Sequence, residues 1–176
     1  MAELSTQLAA QSVDIANAAS FDALFQGIHC GSLRIAVSYR WARSIVDRFD
    51  ELPVPKAPVW LSGAAAIDGQ IHPIIDIALL KDPTHVRSVS RRDLNLLVGG
   101  SEDGDLQNPL LAILFDGAPQ QLRDTGENST AVDAATVSGA LAPFISHGLR
   151  SSRDEVFYVL DMAKLADRLA SELSTL

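Results

Sequence analysis

Cysteine is almost missing from this chain. Cys30 is the single one among 176 residues, which excludes an internal disulfide and any metal centre built from several thiolates. An excess of cations is missing too. Lys and Arg number 14 against 22 Asp and Glu, a formal net charge of −8. A surface that tracks phosphates needs basic neutralisation, so no nucleic-acid partner is expected. No apolar run approaches the roughly 18 residues of a membrane helix, so direct membrane insertion is not expected either. The first basic residue is Arg34, which leaves no charged leader region and predicts a cytoplasmic protein.

The usual signatures of chemistry are missing as well. There is no Gly-x-x-x-x-Gly-Lys phosphate loop, no Gly-x-Ser-x-Gly elbow and no His-Glu-x-x-His pair. The four histidines, His29, His72, His85 and His147, are scattered. The acidic, glycine-rich stretch 99–105 lacks the spacing and closing Glu of a calcium loop. Cys30 has no nucleophile context and reads as a buried, inert thiol. No cofactor and no metal are therefore expected. Asp76 and Asp116 each end an apolar run, where an aspartate commonly fixes a turn by accepting from backbone N–H groups.

What the chain does have is apolar content. Hydrophobic residues make up 47% and charged residues 20%, a globular balance. Residues 1–20 carry Leu4, Leu8 and Ile15 on one narrow helical face and read as an N-terminal arm outside the core. Beyond them, short apolar stretches alternate with turn residues. Residues 33–37 follow Gly31-Ser32 and read as a strand. Between 39 and 49 two periods compete: Trp41, Ile45 and Phe49 fit a short helix, whereas Ile45, Asp47 and Phe49 alternate as in a strand. Pro53, Pro55 and Pro58 force an extended link. Residues 60–67 and 70–80 flank Asp68-Gly69, a strong hairpin signal because such a turn needs positive φ. Gly63 reads as a bulge position.

Further on, 94–98 and 110–115 read as a strand pair joined by a polar loop, and a short segment follows to Arg123. Residues 124–140 read as a flexible or partly helical excursion. Segments 144–149 and 155–160 are the last strands. Met162, Leu165, Leu169 and Leu173 share one face of a C-terminal helix with Asp161 as its N-cap. Eight to ten short strands closed by a helix predict a mainly β, barrel-like domain.

Three stretches resemble the CheW-like family of bacterial chemotaxis coupling proteins. They are Pro53-Val54-Pro55-Lys56-Ala57-Pro58, then Gly63-Ala64-Ala65-Ala66-Ile67-Asp68-Gly69, then Pro73-Ile74-Ile75-Asp76-Ile77. Leu111-Ala112-Ile113-Leu114-Phe115-Asp116 is similar to the family's strand ending in hydrophobic-Asp, and 144–149 with 156–165 to its closing hairpin and helix start. The resemblance spans 21–173, a CheW-like domain with the 1–20 arm outside it. It implies two SH3-like β-barrel subdomains sharing one hydrophobic core, with a short helical segment after the first strand. It also implies an adaptor, not an enzyme, that couples methyl-accepting chemoreceptors to a CheA-type histidine kinase in a two-component chemotaxis or type IV pilus twitching pathway.

The match departs at two places. The family's hairpin reads Asn-Leu-Arg-Gly, whereas this chain has Ala66-Ile67-Asp68-Gly69, so an acidic residue replaces the arginine. Near the short helical segment the family has a branched apolar residue before Glu-Ile, and this chain has Ala42-Arg43-Ser44-Ile45. The resemblance implies partner binding at Ala42, Ser44, Ile45, Ile67 and Asp68. A competing expectation is a small hydrolase or ligand-binding enzyme using Asp76, Asp116 and a histidine.

Overall fold

A computed structural model of the chain describes residues 23–101, 110–132, 137 and 139–174. The expected 1–20 arm and most of the loop after 99 lie outside the described residues. Eleven strands form one sheet: β1 Leu24–Cys30, β2 Leu33–Ser38, β3 Ala42–Val46, β4 Glu51–Leu52, β5 Leu61–Ile67, β6 Gln70–Ile75, β7 Leu94–Gly99, β8 Leu111–Arg123, β9 Ser129–Thr130, β10 Ile145–Arg150 and β11 Val156–Leu160. Two α-helices accompany them among the described residues, α1 Ile77–Lys81 between β6 and β7 and α2 Met162–Leu173 after β11.

The strand order is β4-β5-β6-β8-β1-β2-β11-β10-β9, with β7 pairing β8 and β3 pairing β7. β8 organises this arrangement. Its residues 111–116 pair antiparallel with β7, and from Asp116 to Arg123 it pairs with β1. The handover falls beside Gly117, where φ is +72°. The stretch therefore forms one 13-residue strand, not a strand followed by a separate short segment.

Side chains alternate across β8, and they feed three clusters. Ile113 and Phe115 enter the largest, with Ile28, Ile35, Trp41, Ile75, Ile77, Leu165 and Leu169. Ala112 and Leu114 face Ala65, Ile74, Leu96 and Val98. Leu122 joins Phe25, Ala36, Leu149 and Phe157. Both faces of 111–115 are thus buried, which explains its unbroken apolar text. A central cluster is accompanied by two smaller ones, and among the described residues the strand pairing leaves edges at β3, β4 and β9.

Two other expectations change. Residues 42–46 are a strand, not the short helix of the resemblance. Trp41 belongs to the central cluster, Phe49 packs on the second and Ile45 is exposed, so the three share no buried face that would hold a helix in place. The second arm of the 60–80 hairpin stops at Ile75, because Asp76 turns the chain into α1 by accepting from Leu79 N at 3.1 Å. That carboxylate satisfies one of the donors a helix start leaves open. The 124–140 excursion contributes β9, paired with β10. α2 is capped as expected, with Asp161 accepting from Lys164 N at 3.0 Å, and it buries Met162, Leu165 and Leu169.

Candidate functional site

The five residues expected to bind partners fall on two segments. Ala42, Ser44 and Ile45 lie on β3, whose only strand partner among the described residues is β7, so its other side is an open edge. Ser44 and Ile45 are exposed, while Ala42 is half-buried against the central cluster. Ile67 and Asp68 lie at the tip of the β5–β6 hairpin. Ile67 packs on the second cluster beside Val46 and Phe49, so part of its side chain serves the core. Asp68 is exposed and holds φ +51° next to Gly69 at +77°. Two consecutive positive φ values make the tight primed turn that matches strand twist, and aspartate tolerates this conformation better than most residues.

Between the end of β3 and the end of β5 runs a cleft of about 910 Å³. Phe49, Leu52 and Ala66 give it an apolar lining, and Glu51 and Arg91 a charged one. Leu52 is 55% exposed. Register carries this apolar surface across the sheet: Leu52 lies opposite Ala64, Ala64 opposite Pro73, and Ala66 opposite Ile71. Ile71 is 73% exposed. Two large aliphatic side chains thus flank small alanines on the hairpin face turned away from the core. Leu52 and Ile71 are exposed apolar side chains near the edge of the sheet.

The cleft's carboxylate is unusual. The Glu51 side chain is 8% exposed, and its Oε2 is paired with Arg91, whose side chain is 63% exposed. Its Oε1 accepts from Ser62 Oγ at 2.9 Å. Gly63 permits this, since a Cβ there would lie 2.6 Å from Glu51 Cγ. The expected bulge is present too, as a register shift between Leu61 and Gly63. Sequence reasoning overlooked Glu51 and Arg91, because a lone Glu before prolines carries no signal and its partner is distant in sequence.

The enzymatic alternative requires Asp76 and Asp116 to be open to a substrate. Asp76 is 1% exposed. Besides capping α1, it accepts from Arg87 Nε at 2.8 Å and pairs with Arg87 Nη2 at 2.7 Å. Asp116 accepts from Gly31 N at 2.8 Å, which fixes the β1–β2 turn. Both therefore have the structural work expected of strand-end aspartates. His72 is buried with Nε2 3.4 Å from Ile67 O, and His147 Nε2 lies 3.2 Å from Asp124 Oδ2. The Cys30 thiol is buried 3.5 Å from Leu114 O, and burial pushes its pKa well up, away from the thiolate that a nucleophile needs. Among the described residues, no three His, Cys, Asp or Glu side chains stand together so as to hold a metal ion, and no helix is long and apolar enough to cross a membrane.

No protein-family model and no curated protein sequence matches the chain. Its fold is nonetheless that of a known class. The crystal structure of scaffolding protein TtCheW from Thermoanaerobacter tengcongensis is similar with a TM-score of 0.65 and 11% sequence identity, covering 80% of this chain and 85% of that one. The chain thus has a CheW-like, mainly β fold.

Proposed function

We propose that the protein is a non-enzymatic adaptor, built on residues 21–173, that couples chemoreceptors to a CheA-type histidine kinase in a bacterial chemosensory pathway. The observation that carries this reading is the fold shared with a CheW scaffolding protein across most of both chains. The motif order from Pro53 to Ile77 and the exposed apolar side chains of Leu52 and Ile71 support it. A scaffold binds through open strand edges and small apolar hot spots and needs no titrating constellation. On this reading the two smaller clusters are the interiors of two SH3-like barrels with β8 running through both. The edge strand β3 and the hairpin tip, with Ala42, Ser44, Ile45, Ile67 and Asp68, then form the partner surface. The acidic Asp68 suits a specialised cytoplasmic array with its own kinase and receptor, such as one that governs type IV pilus twitching.

The test is titration calorimetry of the full chain against the regulatory domain of a CheA-type kinase and against the tip of a methyl-accepting receptor. Saturable binding to either supports the adaptor. Absence of binding to both, together with a thermal shift produced by a small metabolite, would overturn it.

A further inference from the structure

The cleft beside β4 contains an ion pair whose two halves differ greatly in exposure, and that difference says what can enter. The Glu51 carboxylate is almost enclosed, whereas the Arg91 side chain that neutralises it is mostly in water. An exposed guanidinium keeps its own hydration when it swings away, so it bears little of the cost of opening the pair. A buried carboxylate left without a counter-ion is far more costly. Whatever displaces Arg91 must therefore carry positive charge. Arg91 opens the short 3-10 turn Arg91–Asp93 just before β7, so only its side chain has to move. The chain before it is held separately by Arg87 on Asp76 and stays tied meanwhile.

The neighbouring surface adds the second requirement. Leu52 and Ala66 line the cleft and are exposed, and Ile71 extends the apolar face from there. Glu51 and Leu52 point to opposite sides of the edge strand β4, so a ligand that placed a cation on Glu51 would lay its adjoining side chains over that edge onto Leu52 and Ala66. Asp47, Arg48, Asp50 and Arg92 also line the cleft and are exposed; two acids and two bases in water leave no net demand of their own, so the enclosed Glu51 sets the preference for a cation. The chain's net charge of −8 draws a basic segment toward it.

We infer that the cleft is a docking site for a protein segment in which an arginine or lysine is flanked by aliphatic residues, the cation replacing Arg91 on Glu51 and the aliphatic side chains covering Leu52 and Ala66. Arg91 acts as a built-in competitor that keeps the carboxylate compensated while the site is empty. The inference rests on the adaptor reading only in taking the partner to be a protein.

The probe is the peptide acetyl-Leu-Arg-Leu-amide, titrated into the labelled full chain and followed by amide NMR shifts at residues 49–52, 66 and 91. Those residues should shift, and acetyl-Leu-Glu-Leu-amide should bind more weakly. Arg91→Ala should tighten the arginine peptide roughly fivefold or more, because removing a competitor that occupies the site raises the fraction of competent molecules. Glu51→Gln, which keeps a hydrogen-bonding group for Ser62, should remove the preference between the two peptides. Tighter binding of the acidic peptide, or an Arg91→Ala protein that folds and binds no better, would overturn the inference. If Arg91→Ala does not fold, the Glu51→Gln comparison decides alone. Peptide binding without kinase or receptor binding would leave this site standing while the adaptor reading fails, and the reverse result would separate them the other way.

Discussion

At Asp68 two demands meet on one residue. The turn asks for a side chain that accepts positive φ, and the surface sets the charge a partner meets. Arginine at this position would change both, because the left-handed region costs a residue with an ordinary side chain about 1 kcal/mol. Asparagine separates them: it tolerates the same φ and has no charge. Asp68→Asn should therefore leave the melting temperature unchanged, as expected of a surface substitution within about 0.5 kcal/mol, and weaken binding to a cognate kinase or receptor that presents Lys or Arg there. Calorimetry on both proteins checks this, and equal affinities would reduce Asp68 to turn chemistry. This residue was legible in the sequence because Asp-Gly is a local signal. Glu51 was not, since its character comes from burial under Arg91 and Ser62 and from the missing Cβ of Gly63, three contacts that no local pattern displays.

At the scale of elements, boundaries follow side chains that accept backbone N–H groups. Asp76 ends β6 and starts α1, and Asp161 starts α2. The second cap is sensitive to pH. The Lys164 N–H bonded to Asp161, with the Lys164 ammonium 2.9 Å from Oδ2, holds the carboxyl below the usual carboxylate range. A carboxyl whose pKa falls on folding stabilises the native state above its unfolded value, near 3.9, and loses that contribution as the pH drops through its folded value. Asp161→Ala should cost about 1 kcal/mol at pH 6, and the gap from wild type should close as the pH falls below about 4. Urea denaturation across that range measures it; a gap independent of pH would assign the loss to packing instead. The Asp161 cap is readable from sequence, whereas Asp76 reads as a strand-end aspartate and the helix it starts reads as part of the strand 70–80. The 42–46 strand is not readable either, because its periodicity fits both structures and only pairing with β7 decides between them.

For the whole molecule, the question is whether its two sides are independent. Ile75 lies in the central cluster with Phe115, Ile35 and Leu165, contributed by β6, β8, β2 and α2, while its neighbour Ile74 points into the second cluster. Ile75→Ala should cost about 2–5 kcal/mol. Because the central cluster joins both sides, the loss should appear as one earlier denaturant transition with an unchanged slope. Two separated transitions would show that the sides melt independently. The apolar run 73–77 predicts burial of at least two of its three isoleucines, and all three are buried. It did not foretell their division between two clusters, which depends on alternation across a sheet whose strand order is set by distant partners.

The pairing of β1 with β8 also has a consequence for synthesis. Gln26 donates to the carbonyl of Gln120, 94 positions further along the chain. At about 5–20 residues per second a ribosome needs roughly 5–20 s to cover that distance, and β2 must wait longer still for β11, its parallel neighbour. Throughout that interval residues 24–38 lack both of their neighbouring strands, and their apolar side chains stay wet. The nascent chain is then most open to chaperones and to pairing with a neighbouring copy. Slow translation ahead of residue 123 would lengthen this exposure, and rapid translation would shorten it.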